Sequence, residues 1–144
     1  MNSEVDRLLH RANSRSSMIA RAVTEHFYRR AVRRVCSIVE DAGGQFSGLV
    51  ARTAQCKARS ILLEESDSRA VINYHAIIAA REWDRGPADE ALNRAVRRAT
   101  RAMGTLLEDH AVRHALQLLS ELTASGHPQA LSPAVMENIK ARVG

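Results

Sequence analysis

The sequence has few aromatic residues and few cysteines, and each shortage narrows the possible folds. Its 144 residues include only two Phe, two Tyr and one Trp, so an apolar core has to be built from aliphatic side chains and alanine. Such a core suits close helix packing better than the β-branched and aromatic faces of sheets. Cys36 and Cys56 are too few for a disulfide framework and lack the CxxC spacing of zinc and redox sites.

Long apolar runs and a secretion signal are also missing. The longest uncharged stretch in the middle of the chain, residues 70–80, is far shorter than the roughly 20 residues that span a bilayer. Glu4 and Asp6 lie where a signal peptide needs a basic segment followed by an apolar block. We therefore expect a cytoplasmic protein that makes no contact with membranes.

The spacing of the apolar residues favours helices throughout. Strand-type alternation of apolar and polar residues does not extend over any useful length, whereas apolar residues recur at steps of three and four, as at Val23, Phe27, Ala31 and Val35. A chain of this length is sufficient for one domain with a conventional core. The sequence thus predicts an all-α fold, a bundle of five or six helices in a single domain over residues 1–144.

Capping and breaking residues divide the chain into helical segments. Serine-rich stretches and the pairs Gly43-Gly44 and Gly86-Pro87 mark the main divisions. A serine- and asparagine-rich segment at 13–17 is expected to interrupt the first helical region, and Ser47 is a candidate cap. The expected helices cover residues 3–12, 18–41, 46–65, 69–84, 87–124 and 133–142.

The segment 87–124 is too long to be one straight helix in a compact domain. At 1.5 Å per residue it would extend roughly 55 Å, whereas a compact domain of this size is about 37 Å across. Either the helix breaks near Gly104, or the protein is elongated and buries the excess length against a second chain. The second possibility predicts a homo-oligomer. Trp83, the sole tryptophan, is its candidate interface residue.

The chain does contain a repeated basic pentapeptide, Arg-Ala-Val-Arg-Arg, at residues 30–34 and again at 94–98. Only Lys57 and Lys140 are lysines, so 19 of the 21 basic residues are arginines, and the formal net charge is +5. On a helix, each row of arginines fills an arc of about 100–140° opposite an apolar face. The two rows are Arg29, Arg30, Arg33 and Arg34 around the first copy, and Arg94, Arg97, Arg98 and Arg101 around the second.

Few acids on the same helices offset this charge. Glu25 precedes Arg29 by four residues, and Glu90 precedes Arg94 by four, which is within reach of an ion pair. The other six arginines have no such acid on their helix. Both rows are therefore predicted to be exposed and under-neutralised, unless other helices supply acids. The candidates for that pairing are Glu64, Glu65, Asp67 and Glu82.

Two kinds of partner suit exposed arginine rows. The guanidinium group binds carboxylates and phosphates through paired donors, which indicates an acidic protein face or a nucleic-acid backbone. Few aromatic side chains are present to stack on bases. We therefore expect a non-enzymatic regulator, adaptor or inhibitor that binds an acidic partner through these rows. Nucleic-acid binding through the same arginines is the alternative.

Catalytic and cofactor motifs are absent, and metal binding is the weakest alternative. No nucleophile motif, phosphate loop or metal motif of standard spacing occurs, so no cofactor is expected. His110 and His114 lie one helical turn apart in an apolar sector, and His75 lies among apolar residues. A metal-binding bundle would need these three histidines to converge. The repeat at an offset of 64 residues also raises the possibility of a duplicated helical hairpin.

Overall fold

A computed structural model describes residues 3–84 and 86–143, with the backbone alone for residues 8–13. Within these ranges the chain forms six α-helices and one π-helical turn, and none of the described residues lies in a β-strand. The all-α fold and the expected number of helices are thereby confirmed. The elements in chain order are α1 (Ser3–Asp41), α2 (Leu49–Arg59), the π-turn (Ser60–Glu64), α3 (Ser66–Arg81), α4 (Ala88–Met103), α5 (Leu106–Ala124) and α6 (Pro133–Val143).

The helices are distributed over two compact units. The first unit contains the chain up to His26 together with residues 63–106, and thus the first part of α1 with α3 and α4. The second unit contains residues 27–62 and those from 107 onward, and thus the rest of α1 with α2, α5 and α6. A single domain over the whole chain stays a prediction.

Small side chains let the helices of the first unit come close together. Ala91, Ala95 and Ala99 recur at every fourth position of α4, and all three are buried. α4 packs against α3, which buries Ile72 and Ala76. A row of methyl side chains at this spacing forms a shallow groove along the helix, which suits the close packing expected of an alanine-rich core.

A continuous apolar cluster fills the second unit. α1 contributes buried residues at four-residue steps, and α2, α5 and α6 close the cluster. Its members are Ala31, Val35, Val39, Ala42, Val50, Ala54, Ala58, Ile61, Ala111, Val112, Ala115, Leu116, Leu119, Leu131, Met136 and Ile139. The chain passes so close to this cluster at Gly44 that a Cβ there would lie 2.9 Å from Cγ1 of Val39 and 3.0 Å from Cγ1 of Val135.

The expected break in the first helical region is wrong, because α1 continues through residues 13–17 without interruption. Serine and asparagine cost at most about 0.7 kcal/mol each relative to alanine in a helix, and the segment contains neither proline nor glycine. Ile19 and Val23 are fully buried directly after it. Packing of the helix therefore outweighs the weak local preference for a turn.

Two other helix starts differ from the expected ones by three residues. α2 begins at Leu49 after an N-cap at Gly48, and α3 begins at Ser66 after an N-cap at Glu65. The N-cap position of α2 belongs to Gly48, so the expected cap Ser47 does not occupy it. Neither Gly48 nor Glu65 makes a side-chain hydrogen bond to its helix. α3 also ends earlier than expected, at Arg81. The backbone conformation at the N-cap residues sets these boundaries, and the positions of the serines do not predict that conformation.

The boundaries that depend on glycine are confirmed. The Gly43 N–H donates to the Glu40 carbonyl at 3.0 Å and the Gly44 N–H to the Val39 carbonyl at 2.9 Å, which is the double hydrogen bond of a Schellman helix end. Segment 87–124 breaks at Gly104, where φ is 65° and ψ is −145°. The resulting helices have 16 and 19 residues, so no excess length is left to bury. None of the described helices is long and apolar enough to cross a membrane.

Candidate functional site

In the first pentapeptide copy, two arginines of α1 bind one buried carboxylate of α5. Arg30 Nε lies 2.6 Å from Oε1 of Glu108, and Arg34 Nη1 lies 2.9 Å from Oε2 of the same residue. Arg34 Nη1 also lies 2.5 Å from Oδ1 of Asp109. The Glu108 side chain is only 2 % exposed, whereas those of Arg30 and Arg34 are 50 % and 40 % exposed. The two arginine side chains thus lie between the buried carboxylate of Glu108 and the solvent.

The N-terminal end of α5 is a favourable position for the carboxylates of Glu108 and Asp109. Glu108 and Asp109 lie in the first turn of α5, where the helix dipole favours negative charge. Burial acts to lower the pKa of the Arg34 guanidinium. The hydrogen bonds to Asp109 and Glu108 and their negative charges outweigh burial, and the pKa is raised above its ordinary value. Arg34 is therefore fixed as a cation.

In the second copy, the corresponding arginines of α4 bind residues that follow the end of α3. Arg94 Nε lies 2.5 Å from Oδ2 of Asp84, and Arg98 Nη1 lies 3.7 Å from the same oxygen. Arg98 also donates through Nη2 to the backbone carbonyl of Glu82 at 3.0 Å, and its Nε lies 3.3 Å from Oε2 of that residue. Arg94 Nη1 lies 3.8 Å from Oε2 of Glu90. The hydrogen bond from Arg94 lowers the pKa of Asp84 below its ordinary value, despite an opposing effect of burial.

The two copies divide their arginines in the same way. The first and fifth residues of each copy share one acid, Glu108 for Arg30 and Arg34, and Asp84 for Arg94 and Arg98. The alanine between them is fully buried in both copies. Residues four apart are about 40° apart on a helix, which places this arginine pair at the border between the buried and the exposed face. The fourth residue points about 60–100° further toward solvent.

The remaining arginines of the two rows are exposed. Arg33 on α1, and Arg97 and Arg101 on α4, make no ion pair or hydrogen bond with any residue that the structure describes. Arg29 is exposed as well. Of the eight predicted site residues, Arg30, Arg34, Arg94 and Arg98 therefore belong to internal ion pairs, and Arg33, Arg97 and Arg101 face the solvent.

The acids that bind the rows are only partly those expected. Glu82 was a candidate and does pair with Arg98. Sequence reasoning missed Glu108, Asp109 and Asp84. A signal for Glu108 was present, because it lies in the helical row that continues through Val112, and a charged residue within an apolar row indicates a buried ion pair.

The acids also bear on the origin of the repeat. Asp84 precedes Arg94 by ten residues, whereas Glu108 follows Arg30 by 78. A duplicated hairpin would place both acids at the same offset from the pentapeptide. The two copies thus use the same arrangement of arginines with acids from unrelated positions, and this speaks against duplication.

The other predicted residues have local structural partners. Trp83 is half-buried in the first unit, and the guanidinium carbon of Arg15 lies 5.2 Å from the centroid of its ring. His75 belongs to α3 in the first unit, whereas His110 and His114 belong to α5 in the second and meet edge to face at 4.5 Å. Within the described ranges, no group of three or more His, Cys, Asp or Glu side chains is placed to hold a metal ion.

Comparisons of the chain with protein-family models, with curated proteins and with solved structures found no match.

Proposed function

We propose that this chain is a non-enzymatic interaction protein whose outward-facing arginines bind an acidic protein partner, as a regulator, adaptor or inhibitor does. The proposal rests on Arg33, Arg97 and Arg101, which make no ion pair or hydrogen bond among the described residues, beside arginines that pair with internal acids. Internal ion pairs hold the helices from which these side chains extend. The helix backbone is thus already ordered, and a partner does not have to order it on binding.

The number of outward arginines favours a protein partner over a nucleic acid. The second row offers two outward cations, Arg97 and Arg101, and two phosphate contacts give a salt dependence of only about −1.8 in log K against log salt. Arg97 and Arg101 are four residues apart, so their side chains match acids at the same spacing on a partner helix. Bidentate contacts of arginine with carboxylates add geometric selectivity.

A cytoplasmic location is part of the same proposal. Cys36 and Cys56 are both free thiols, which fits a reducing compartment. Self-association no longer follows from the length of segment 87–124, because that segment forms two helices.

The proposal is tested by fluorescence anisotropy at about 50 mM salt, where exposed charges are little screened. The probes are a labelled poly-glutamate peptide, a mixed-sequence DNA duplex and a single strand. The informative variant is Arg97→Glu with Arg101→Glu, and Arg33→Glu tests the α1 row separately. The matched control is Arg52→Glu with Arg113→Glu, which makes the same change in net charge at exposed positions of α2 and α5.

We expect the peptide to bind the unmodified protein and the control, and the double α4 variant to bind about tenfold more weakly or not at all, because like charges then face each other. Equal loss in the control would mean that net charge alone drives binding. Absence of peptide binding contradicts the proposal. Tight duplex binding with a slope much steeper than −1.8 would support the nucleic-acid alternative in its place.

A further inference from the structure

α3 carries apolar side chains on the side opposite its buried face. Ile72 and Ala76 are buried within the first unit. On the outward side, Val71 is 41 % exposed, Tyr74 is 61 % exposed and Ile77 is 46 % exposed. A helix that is apolar on both sides is typical of one that is covered on both sides. These three outward residues, with Ala70 and Ile78 beside them, form the outer face of α3.

The outer face of α3 is self-complementary about Tyr74. Taking 100° per residue, positions three, four and seven residues before and after Tyr74 all lie within about 60° of it on the helix. Equidistant positions carry residues that suit each other: a small residue with a large one, two branched aliphatic residues, and an acid with an arginine. The equidistant pairs are Ala70 with Ile78, Val71 with Ile77, and Asp67 with Arg81.

The charged pair at the ends of this face has no partner within the described parts of the chain. Asp67 and Arg81 are both exposed, and neither makes an ion pair or hydrogen bond with a described residue. Residues 70–80 between them include no Asp, Glu, Lys or Arg. The outer face of α3 thus has an acid at one end, an arginine at the other and no ion-pairing residue between them. A second α3 helix in the opposite direction would place its arginine beside the acid and its acid beside the arginine.

We propose that a second copy of this chain covers the outer face of α3, with the two α3 helices antiparallel and a twofold axis at Tyr74. In that arrangement Asp67 of each copy faces the partner's Arg81, about 10.5 Å from the axis along the helix. Val71 lies against the partner's Ile77, and the two Tyr74 rings meet at the centre. An interface on a twofold axis uses the same patch of both copies, which is what the complementary pairs provide.

A second copy fits this face better than an unrelated partner does. Each copy carries a net charge of +5, so two copies repel unless their contact is uncharged at the centre and pairs opposite charges at its ends. The outer face of α3 meets both conditions. One helix from each copy buries less than the roughly 1,200–2,000 Å² of a stable interface, so the dimer is of the weak, concentration-dependent class.

Sedimentation equilibrium over protein concentrations from about 1 µM to 1 mM tests this proposal, because weak interfaces assemble in that range. The mass of the unmodified protein should rise from 15.9 kDa toward twice that value. Arg81→Asp and Asp67→Arg should each abolish the rise, since like charges then meet at both ends of the interface. The combination of both substitutions restores opposite charges and should restore the dimer.

Two further variants complete the design. Tyr74→Arg places two cations on the twofold axis and should give a monomer, whereas Arg113→Asp changes an exposed arginine of α5 and should leave the dimer intact. Because all of these positions are exposed, far-UV circular dichroism should be unchanged. The melting temperature should fall only slightly for the variants at Asp67 and Arg81, whose charges interact favourably with the helix dipole in the first and last turns of α3. A protein that stays monomeric at 1 mM overturns the proposal. So does a dimer that survives Tyr74→Arg, or one that the combined charge exchange fails to restore.

Discussion

The buried carboxylate of Glu108 makes a strong prediction about the stability of the second unit. Replacement of both Arg30 and Arg34 by methionine keeps most of their side-chain volume and removes both cations that contact Glu108. A carboxylate that is 2 % exposed is then left without its partners. Removal of the partners of a buried charge costs roughly 3–5 kcal/mol. We expect the lower end of this range, because the arginines themselves are about half exposed.

The cost of each single substitution follows from the contacts that it removes. Arg30→Met loses one charge-assisted hydrogen bond to Glu108, and Arg34→Met loses one to Glu108 and one to Asp109. Hydrogen bonds to charged groups contribute about 1.5–3 kcal/mol each where they are buried, and less where solvent replaces them. Arg34→Met should therefore be the more destabilising of the two. A loss of 3 kcal/mol lowers the melting temperature by roughly 6–12 °C in a protein of this size.

Urea titration followed by far-UV circular dichroism measures these free energies of unfolding. Arg33→Met is the matched control on the same helix, and it should stay within about 0.5 kcal/mol of the unmodified protein because Arg33 is exposed. Addition of Glu108→Leu to the double arginine variant removes the unpaired charge and should recover most of the lost stability. Equal stability of the double variant and the Arg33→Met control would refute the role assigned to Glu108.

Two other predictions concern the first unit and the break between α4 and α5. The pKa of Asp84 is lowered in the folded state, so its ion pair with Arg94 stabilises the fold above about pH 4 and is lost as the pH falls through the lowered value. The deficit in melting temperature of Asp84→Asn should therefore be present at pH 6 and shrink toward pH 3, and a deficit that does not change with pH would contradict this. At Gly104 an added Cβ meets nothing within 4 Å, but φ is +65°, so Gly104→Ala should cost about 1–3 kcal/mol of unfolding free energy through backbone strain alone. An unchanged urea midpoint would show that the break does not need this conformation.

The fold was predictable wherever a single residue type dictates the backbone. Gly43 and Gly104 end or break helices because they supply positive-φ conformations that other residues avoid, and Gly44 leaves room for the side chain of Val39. Pro133 begins α6 where the sequence places it. Serine-based boundaries failed at residues 13–17, because a weak preference for turns is overridden by packing that the local sequence does not reveal.

The candidate site was predictable only as a list of arginines. Periodicity placed all eight on helix faces, but the division into engaged and outward arginines depends on acids that are distant in sequence. Glu108 follows Arg34 by 74 residues, and no local pattern connects them. Asp84 lies closer to Arg94, but the contact exists only because α4 folds back against α3. Tertiary pairing of charges is therefore the part that the sequence did not disclose.

We expect the fifth arginine of each pentapeptide to stabilise the fold and the fourth to bind the partner. Arg33→Met and Arg34→Met are neighbouring substitutions with the same change in charge, and both are measured for urea stability and for affinity toward the poly-glutamate peptide. Arg33→Met should weaken peptide binding at unchanged stability, and Arg34→Met should lower stability while the folded protein still binds. These separate roles are contradicted if Arg33→Met destabilises the protein as much as Arg34→Met does, or if the Arg33→Met variant binds the peptide as tightly as the unmodified protein.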